Sequence, residues 1–226
     1  MSGREAVRRL SRTLLPLRSG AGRRAVPSWS ALGYAATFGV VATVVASRPP
    51  LVRDAWLASV STNLTNLADH PVRCLVGSAF VTDDSVTDWV VLAFVGLSVA
   101  GDALGDLRLL VLLAACHVDG TLVSEAVLAR QIGAGSRPGV DRLLLDVGPS
   151  YVVAPALVLG ILHGSNLGRV LCGICFALLA PHLFVGLTRL EVSSVGHVVA
   201  IGVALLAGPA LVADRRTRAR RTLDAS

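Results

Sequence analysis

The chain has 226 residues, of which 53% are hydrophobic and 16% charged. A soluble domain of this size carries about 25% charged residues, so the composition excludes an ordinary water-soluble globule and makes lipid the solvent for most of the chain. The net charge of +6 is carried by arginine alone, with no lysine, and is concentrated at the two ends.

Residues 1–29 hold seven Arg and one acid, Glu5, and residues 214–226 hold five Arg with Asp214 and Asp224. The middle of the chain is therefore net negative. Basic arms can bind nucleic acid, but arms that flank apolar spans follow the positive-inside rule. No nucleic-acid partner is expected. Lys-free, Ala/Val/Arg-rich usage suggests a high-GC bacterial genome and hence a bacterial plasma membrane.

A membrane span needs roughly 20 apolar residues, with about 17 tolerated. The Arg-rich start resembles a signal peptide, yet the first apolar run begins only near Ser30 and no A-x-A cleavage site follows. It reads as a retained first span, Ser30 to Ala46. Residues 47–85 are too long for a turn and too apolar for a solvated loop. Leu57, Val60, Leu64 and Leu67 recur at helical spacing among Ser, Thr and Asn. This segment is expected to lie in the membrane interface, to end at Pro71, and to dip back toward the apolar layer over Cys74–Val81.

The second span is expected over Val86–Gly101 and the third over Leu107 to about Ala129. The third carries His117, Asp119 and Glu125. Uncompensated, a carboxylate in the hydrocarbon costs about 2.5–3.5 kcal/mol on insertion scales. These three residues are therefore expected to face inward as a polar cluster and to pair, with each other or with Arg130. Ser150–His163, Leu167–Leu187 and Val192–Ala213 complete six spans. Six is even, so both Arg-rich tails fall on one side, the cytoplasmic one. The division is an N-terminal tail 1–29, a membrane domain 30–213 and a C-terminal tail 214–226.

Four cysteines make no disulfide framework, and the Cys172-x-x-Cys175 pair sits inside a span without a second ligand pair. It reads as small buried residues, with metal or redox chemistry the lesser alternative. No P-loop, dinucleotide motif or zinc signature is visible, so no cofactor and no metal are expected.

Two motifs remain, Gly148-Pro149-Ser150-Tyr151 and Gly196-His197. The fourth and sixth spans run in the same direction, and Ser150 and His197 each lie within about 10 Å of their outer ends at 1.5 Å per residue. Small residues recur every four positions beside both, at Gly196, Ala200, Ala204 and Gly208 and at Ala156, Gly160 and Gly164. Such ridges let helices approach. A serine and a histidine at one depth are the minimum kit for a nucleophile and its base. Taken singly, each is more often a structural residue that bonds a neighbour.

Six spans, an embedded first loop, a G-x-S opening the fourth span and a G-H in the sixth resemble the rhomboid family of intramembrane serine proteases. Ser61-Thr62-Asn63-Leu64, His70-Pro71, Ser78-Ala79-Phe80, His117-Val118-Asp119-Gly120-Thr121 and Asp146 to Tyr151 resemble its actinobacterial rhomboid-like group. The resemblance covers about residues 30–210. It implies an all-α, six-helix rhomboid-like bundle, Ser150 as nucleophile and His197 as general base, and a single-span membrane protein as substrate.

Two departures stand out. Active rhomboids usually carry a His and an Asn at the start of the second span to hold the oxyanion, and Thr82–Gly96 contains neither. A missing oxyanion donor costs about 10²–10³ in rate. Tyr151 stands where a Gly commonly follows the serine. Backbone near Gly148 and Tyr151, or the side chains of Asn63, Asn66 or Thr87, are the candidate substitutes. Three functions stay open: an intramembrane serine protease, a catalytically silent rhomboid-like protein that binds client transmembrane helices, and a small transporter or channel using His117, Asp119 and Glu125. Against the last, no repeat relates the two halves.

Overall fold

The computed structural model describes residues 28–224. Residues 1–27, most of the Arg-rich N-terminal tail, lie outside them. Among the described residues there are nine α-helices, two short 3-10 turns and no strand.

Helix α1 (Trp29–Ala46) starts at Ser28, whose hydroxyl accepts from the Ala31 N–H. This satisfies one of the donors that a helix N-terminus leaves bare. Three short helices follow: α2 (Pro50–Val60), α3 (Leu64–Asp69) and α4 (Pro71–Ser78). The segment ends at Pro71, as the sequence suggested: α3 stops at Asp69 and a new helix starts at the proline. Pro71 occupies the first turn of α4, where its missing N–H costs nothing. A further break, which the sequence did not signal, falls at Ser61–Asn63. Leu57 and Val60 pack with Val45 and Val81, while Leu51, Trp56, Val72 and Val76 are exposed. An apolar outer surface of this kind suits the membrane interface.

Helix α5 (Val86–Leu104) is capped by Ser85, and only Gly105 separates it from α6 (Asp106–Gly133). Gly105 has φ +85°, a conformation that L side chains resist. Helix α7 (Ser150–His163) turns through Gly164 and Ser165 into α8 (Asn166–Leu183), and α9 runs from Val192 to Asp224. The Arg-rich C-terminal stretch thus continues the last span as helix as far as residue 224.

Helices α1, α5, α6, α8 and α9 are long and apolar enough to cross a membrane, and α7 is apolar but shorter. Many large apolar side chains on their outer surfaces are exposed, among them Val40, Val111, Leu178 and Leu206. In a bundle of such helices this surface meets lipid. The molecule is an all-α, multi-pass membrane protein in contact with the bilayer.

Helix α7 is the centre. Every residue from Tyr151 to Gly160 is buried, the mark of a helix packed on all sides. Its 14 residues span about 21 Å, against a hydrocarbon core of about 30 Å. A helix that turns back at one face and is this short ends about 10 Å below the other. Ser150 is at that recessed end.

One end of the bundle is fixed by polar contacts. Ser30 Oγ donates to Asp106 Oδ1 at 2.5 Å, Arg108 pairs with Asp214 at 2.8 Å, and Arg215 donates to the Asp102 carbonyl. The start of α1, the α5–α6 turn and the end of α9's apolar stretch therefore lie together. An even number of crossings requires this parity.

The small-residue ridge of α9 faces α6 and α7. A Cβ on Gly120 would stand 2.9 Å from the Gly196 carbonyl oxygen, a Cβ on Gly196 would strike the Tyr151 ring, and one on Gly208 would strike Leu159. The ridge of α7 does not meet it. Gly160 and Gly164 face Cys172 and Val99 instead, because a helix buried on every side has α5 and α8 to accommodate as well.

Candidate functional site

The site begins with a backbone turn. Gly148 has φ +133°, open to glycine and strained for other residues. Its N–H donates to the Ser78 carbonyl at 3.0 Å, which ties the turn to the end of α4. Pro149 then opens α7, and its carbonyl accepts from the N–H groups of Val152 and Val153. Ser150 is the first helical residue and half-buried.

Ser150 and His197 line one cavity of about 240 Å³, together with Asp146, Trp89, His182 and Ser193. The His197 ring is 6% exposed. Its Nδ1 lies 2.8 Å from the Leu183 carbonyl oxygen. A carbonyl only accepts, so Nδ1 carries the proton and the neutral ring keeps its lone pair on Nε2. Among the described residues Nε2 is buried without a hydrogen-bond partner. With Nδ1 engaged and Nε2 unpartnered, the histidine and Ser150 share the cavity without a hydrogen bond between them.

Tyr151 stands across the imidazole with ring centroids 5.0 Å apart in an edge-to-face arrangement. Its hydroxyl donates to Asp146 Oδ2 at 3.2 Å. Asp146 belongs to a stretch that carries the family resemblance, but no motif or spacing marks it as a site residue. Its carboxylate also accepts from Thr62 Oγ1 at 3.2 Å and from Ser193 Oγ at 3.1 Å. Its carbonyl accepts from the Thr62 N–H and its N–H donates to Ser61 Oγ. Burial pushes the Asp146 carboxyl up from its ordinary range, and the hydrogen bonds from Ser193, Thr62 and Tyr151 pull it part of the way back. The available signal was an acid set in the apolar run Leu143-Leu144-Leu145-Asp146-Val147.

A smaller recess of about 10 Å³ adjoins Ser150 and is lined by Thr62, Ser78, His117 and Tyr151 among others. His117 Nε2 lies 2.8 Å from the Leu75 carbonyl oxygen and 3.3 Å from Ser78 Oγ. The expected third-helix cluster is only partly assembled. His117, Thr121 and Glu125 share a buried face of α6, at four-residue spacing. Asp119 is exposed on the opposite side. Glu125 does not pair with His117 or Arg130, and both its carboxyl oxygens are buried without a partner among the described residues.

The oxyanion substitutes suggested on α3 and its cap are also displaced. Asn63 Oδ1 caps α3 by accepting from the Asn66 N–H at 2.9 Å. Asn66 Nδ2 donates to the carbonyls of Ala58 and Ser61, both at 2.8 Å. Both are engaged in shaping the embedded segment, and neither lines the cavity. Thr87 is exposed on the first turn of α5. Cys172 fills the space beside Gly160. Among the described residues no group of three or more His, Cys, Asp or Glu could hold a metal.

The fold and the cavity define a polytopic membrane protein with a recessed serine and a buried, tautomer-fixed histidine. The model of the rhomboid-like protein family matches residues 29–218, and the chain belongs to that family. No curated protein and no solved structure matches it.

Proposed function

We propose that this chain is an intramembrane serine protease of the rhomboid type, with Ser150 as nucleophile and His197 as general base. The observation that carries the reading is that His197 Nε2, unpartnered and with its lone pair fixed by the Nδ1–Leu183 contact, lines the cavity that Ser150 lines. In the reaction Nε2 takes the Ser150 proton as Oγ bonds to the peptide carbonyl carbon. When the C–N bond breaks, the same proton passes to the leaving amine, and water then hydrolyses the acyl-enzyme. The oxyanion would lie at the N-terminus of α7, where the Ser150 and Tyr151 N–H groups have no backbone partner among the described residues.

Substrate access is supported by a second, apolar cleft of about 590 Å³ between α5 and α8. It shares Asp84, Trp89, Leu179 and His182 with the Ser150 cavity. A single-span helix lodged there would present its outer end to Ser150. The bacterial plasma membrane, with both termini cytoplasmic, is the location that the Arg-rich ends favour.

Two observations favour a second reading, a silent member that holds client transmembrane helices. The Ser150–His197 hydrogen bond is not formed, and the start of α5 lacks a His/Asn pair. A fluorophosphonate probe in native membranes separates the two. The protease reading expects slow labelling that vanishes in Ser150→Ala and falls steeply in His197→Ala. Labelling that persists in Ser150→Ala would end the dyad, and no labelling of folded protein by several probes would favour client binding.

A further inference from the structure

Asp146 hydrogen-bonds to neither Ser150 nor His197, yet its carboxylate is gripped from three sides of the site. Oδ2 accepts from Tyr151, whose ring packs on His197, and from Thr62 of the embedded segment. Oδ1 accepts from Ser193, which lies one turn before His197 on the same face of α9. Asp146 is 8% exposed, and its bonds from Tyr151 and Thr62 form away from bulk water, where they hold geometry most firmly, while Ser193 is itself exposed.

We propose that Asp146 is the positioning residue of this site, orienting His197 through Tyr151 and Ser193. The inference rests on the reading of His197 as the base. The imidazole is held on two sides: the Leu183 carbonyl fixes Nδ1, and the Tyr151 ring packs against it at a steep angle. Gly196 leaves the space that the buried Tyr151 ring fills, and the Tyr151 hydroxyl, within reach of Asp146 and of the Val192 carbonyl, holds the far end of the ring. Ser193 anchors the turn that carries the histidine. Asp146 takes up no proton in the reaction. It keeps the ring where Nε2 can reach the Ser150 hydroxyl.

The charge on Asp146 makes this testable apart from a merely structural role. Titratable groups reach it or its cavity from every side: Tyr151 on α7, His197 on α9, Glu125 on α6, His182 on α8, and Asp83 and Asp84 before α5. Burial raises the Asp146 carboxyl despite three hydroxyl donors. A raised carboxyl contributes stability that is present at low pH and is lost as pH rises through its folded value. An asparagine side chain in place of the acid, neutral at every pH, retains that stability. Asp146→Asn is thus expected to melt no lower than wild type at pH 8 while reacting more slowly. Loss of a structural strut would lower both together.

The experiment uses the full chain in detergent at pH 8. A misplacement of about 1 Å costs on the order of 100-fold, so fluorophosphonate labelling of Asp146→Asn should slow by up to about that factor with the thermal midpoint unchanged or raised. Tyr151→Phe should show part of that loss, and the double variant no more than Asp146→Asn alone, because the Tyr151 connection runs through Asp146. Wild-type labelling speed in Asp146→Asn overturns the proposal. So does a slow rate accompanied by a lowered midpoint, or multiplying losses in the double variant. If folded wild-type protein does not label, the protease reading fails and ¹⁵N-histidine spectra decide this one. A single Nδ1–H tautomer for His197 that becomes mixed in Asp146→Asn upholds the positioning role, and unchanged spectra sink it.

Discussion

Asp119 and Glu125 are six positions apart on one helix and have opposite fates. Helical geometry puts 117, 121 and 125 on one face and turns 119 to the other. Asp119 therefore stands exposed about 20 Å along α6, at a depth where a carboxylate costs about 2.5–3.5 kcal/mol on insertion scales. Asp119→Leu is expected to raise the folded yield and thermal midpoint in detergent and to leave Ser150 labelling unchanged. A lowered midpoint would show that the carboxyl is satisfied by something outside the chain. Glu125 was expected to strand a partner when removed. Its oxygens have none among the described residues, so Glu125→Leu should melt no lower than wild type, since an unpaired buried acid contributes no pairing to lose. A drop of several degrees would reveal a partner.

At the scale of elements, the site depends on how closely α9 approaches its neighbours. Gly196 is where the Tyr151 ring sits, and Gly120 is where α6 passes the Gly196 carbonyl. A side chain forced into a packed contact costs about 1–3 kcal/mol. Gly196→Ala should lower the melting temperature and slow labelling together, because it pushes Tyr151 off His197. Gly202, also on α9, has nothing within 4 Å of an added Cβ. Gly202→Ala should be neutral or stabilising by about 0.5–1 kcal/mol, the helix-propensity gain of alanine over glycine. Equal effects at 196 and 202 would mean that the helix contacts assigned to Gly196 do not carry the site.

For the whole molecule, the decisive quantity is topology. Ser30, Asp106, Arg108 and Asp214 meet at one end of the bundle, and the Arg-rich end of α9 continues from there. A cytoplasm-only reporter should be active after residue 226 and near Asp106, and silent near Pro138. An external C-terminus would put the cavity mouth in the cytoplasm and redirect the search for substrates. The short central α7 gives this arrangement its consequence. Among the described residues five helices are long and apolar enough to cross and the apolar α7 is shorter, so a serine at its start is expected below the surface.

Much of this was legible in the sequence. Apolar run lengths located all six membrane helices, and Ser85, Gly105 and Ser165 mark ends that capping chemistry explains. The sequence also gives an expected depth, because 1.5 Å per residue converts position in a run into distance from a face. That is why Ser150 and His197 could be paired before any contact was known. What the sequence left undecided was which way each helix faces. In a soluble protein the apolar stripe points to the core, but in a membrane both core and surroundings are apolar, so hydrophobicity does not fix the rotation. Only packing turned Asp119 outward, aimed Gly160 at Cys172 rather than at α9, and set Asn63 and Asn66 to hold the embedded segment. Asp146 was hidden for a related reason. Its three hydroxyl partners lie between 5 and 84 residues away along the chain, and only the tertiary fold gathers them around one carboxylate.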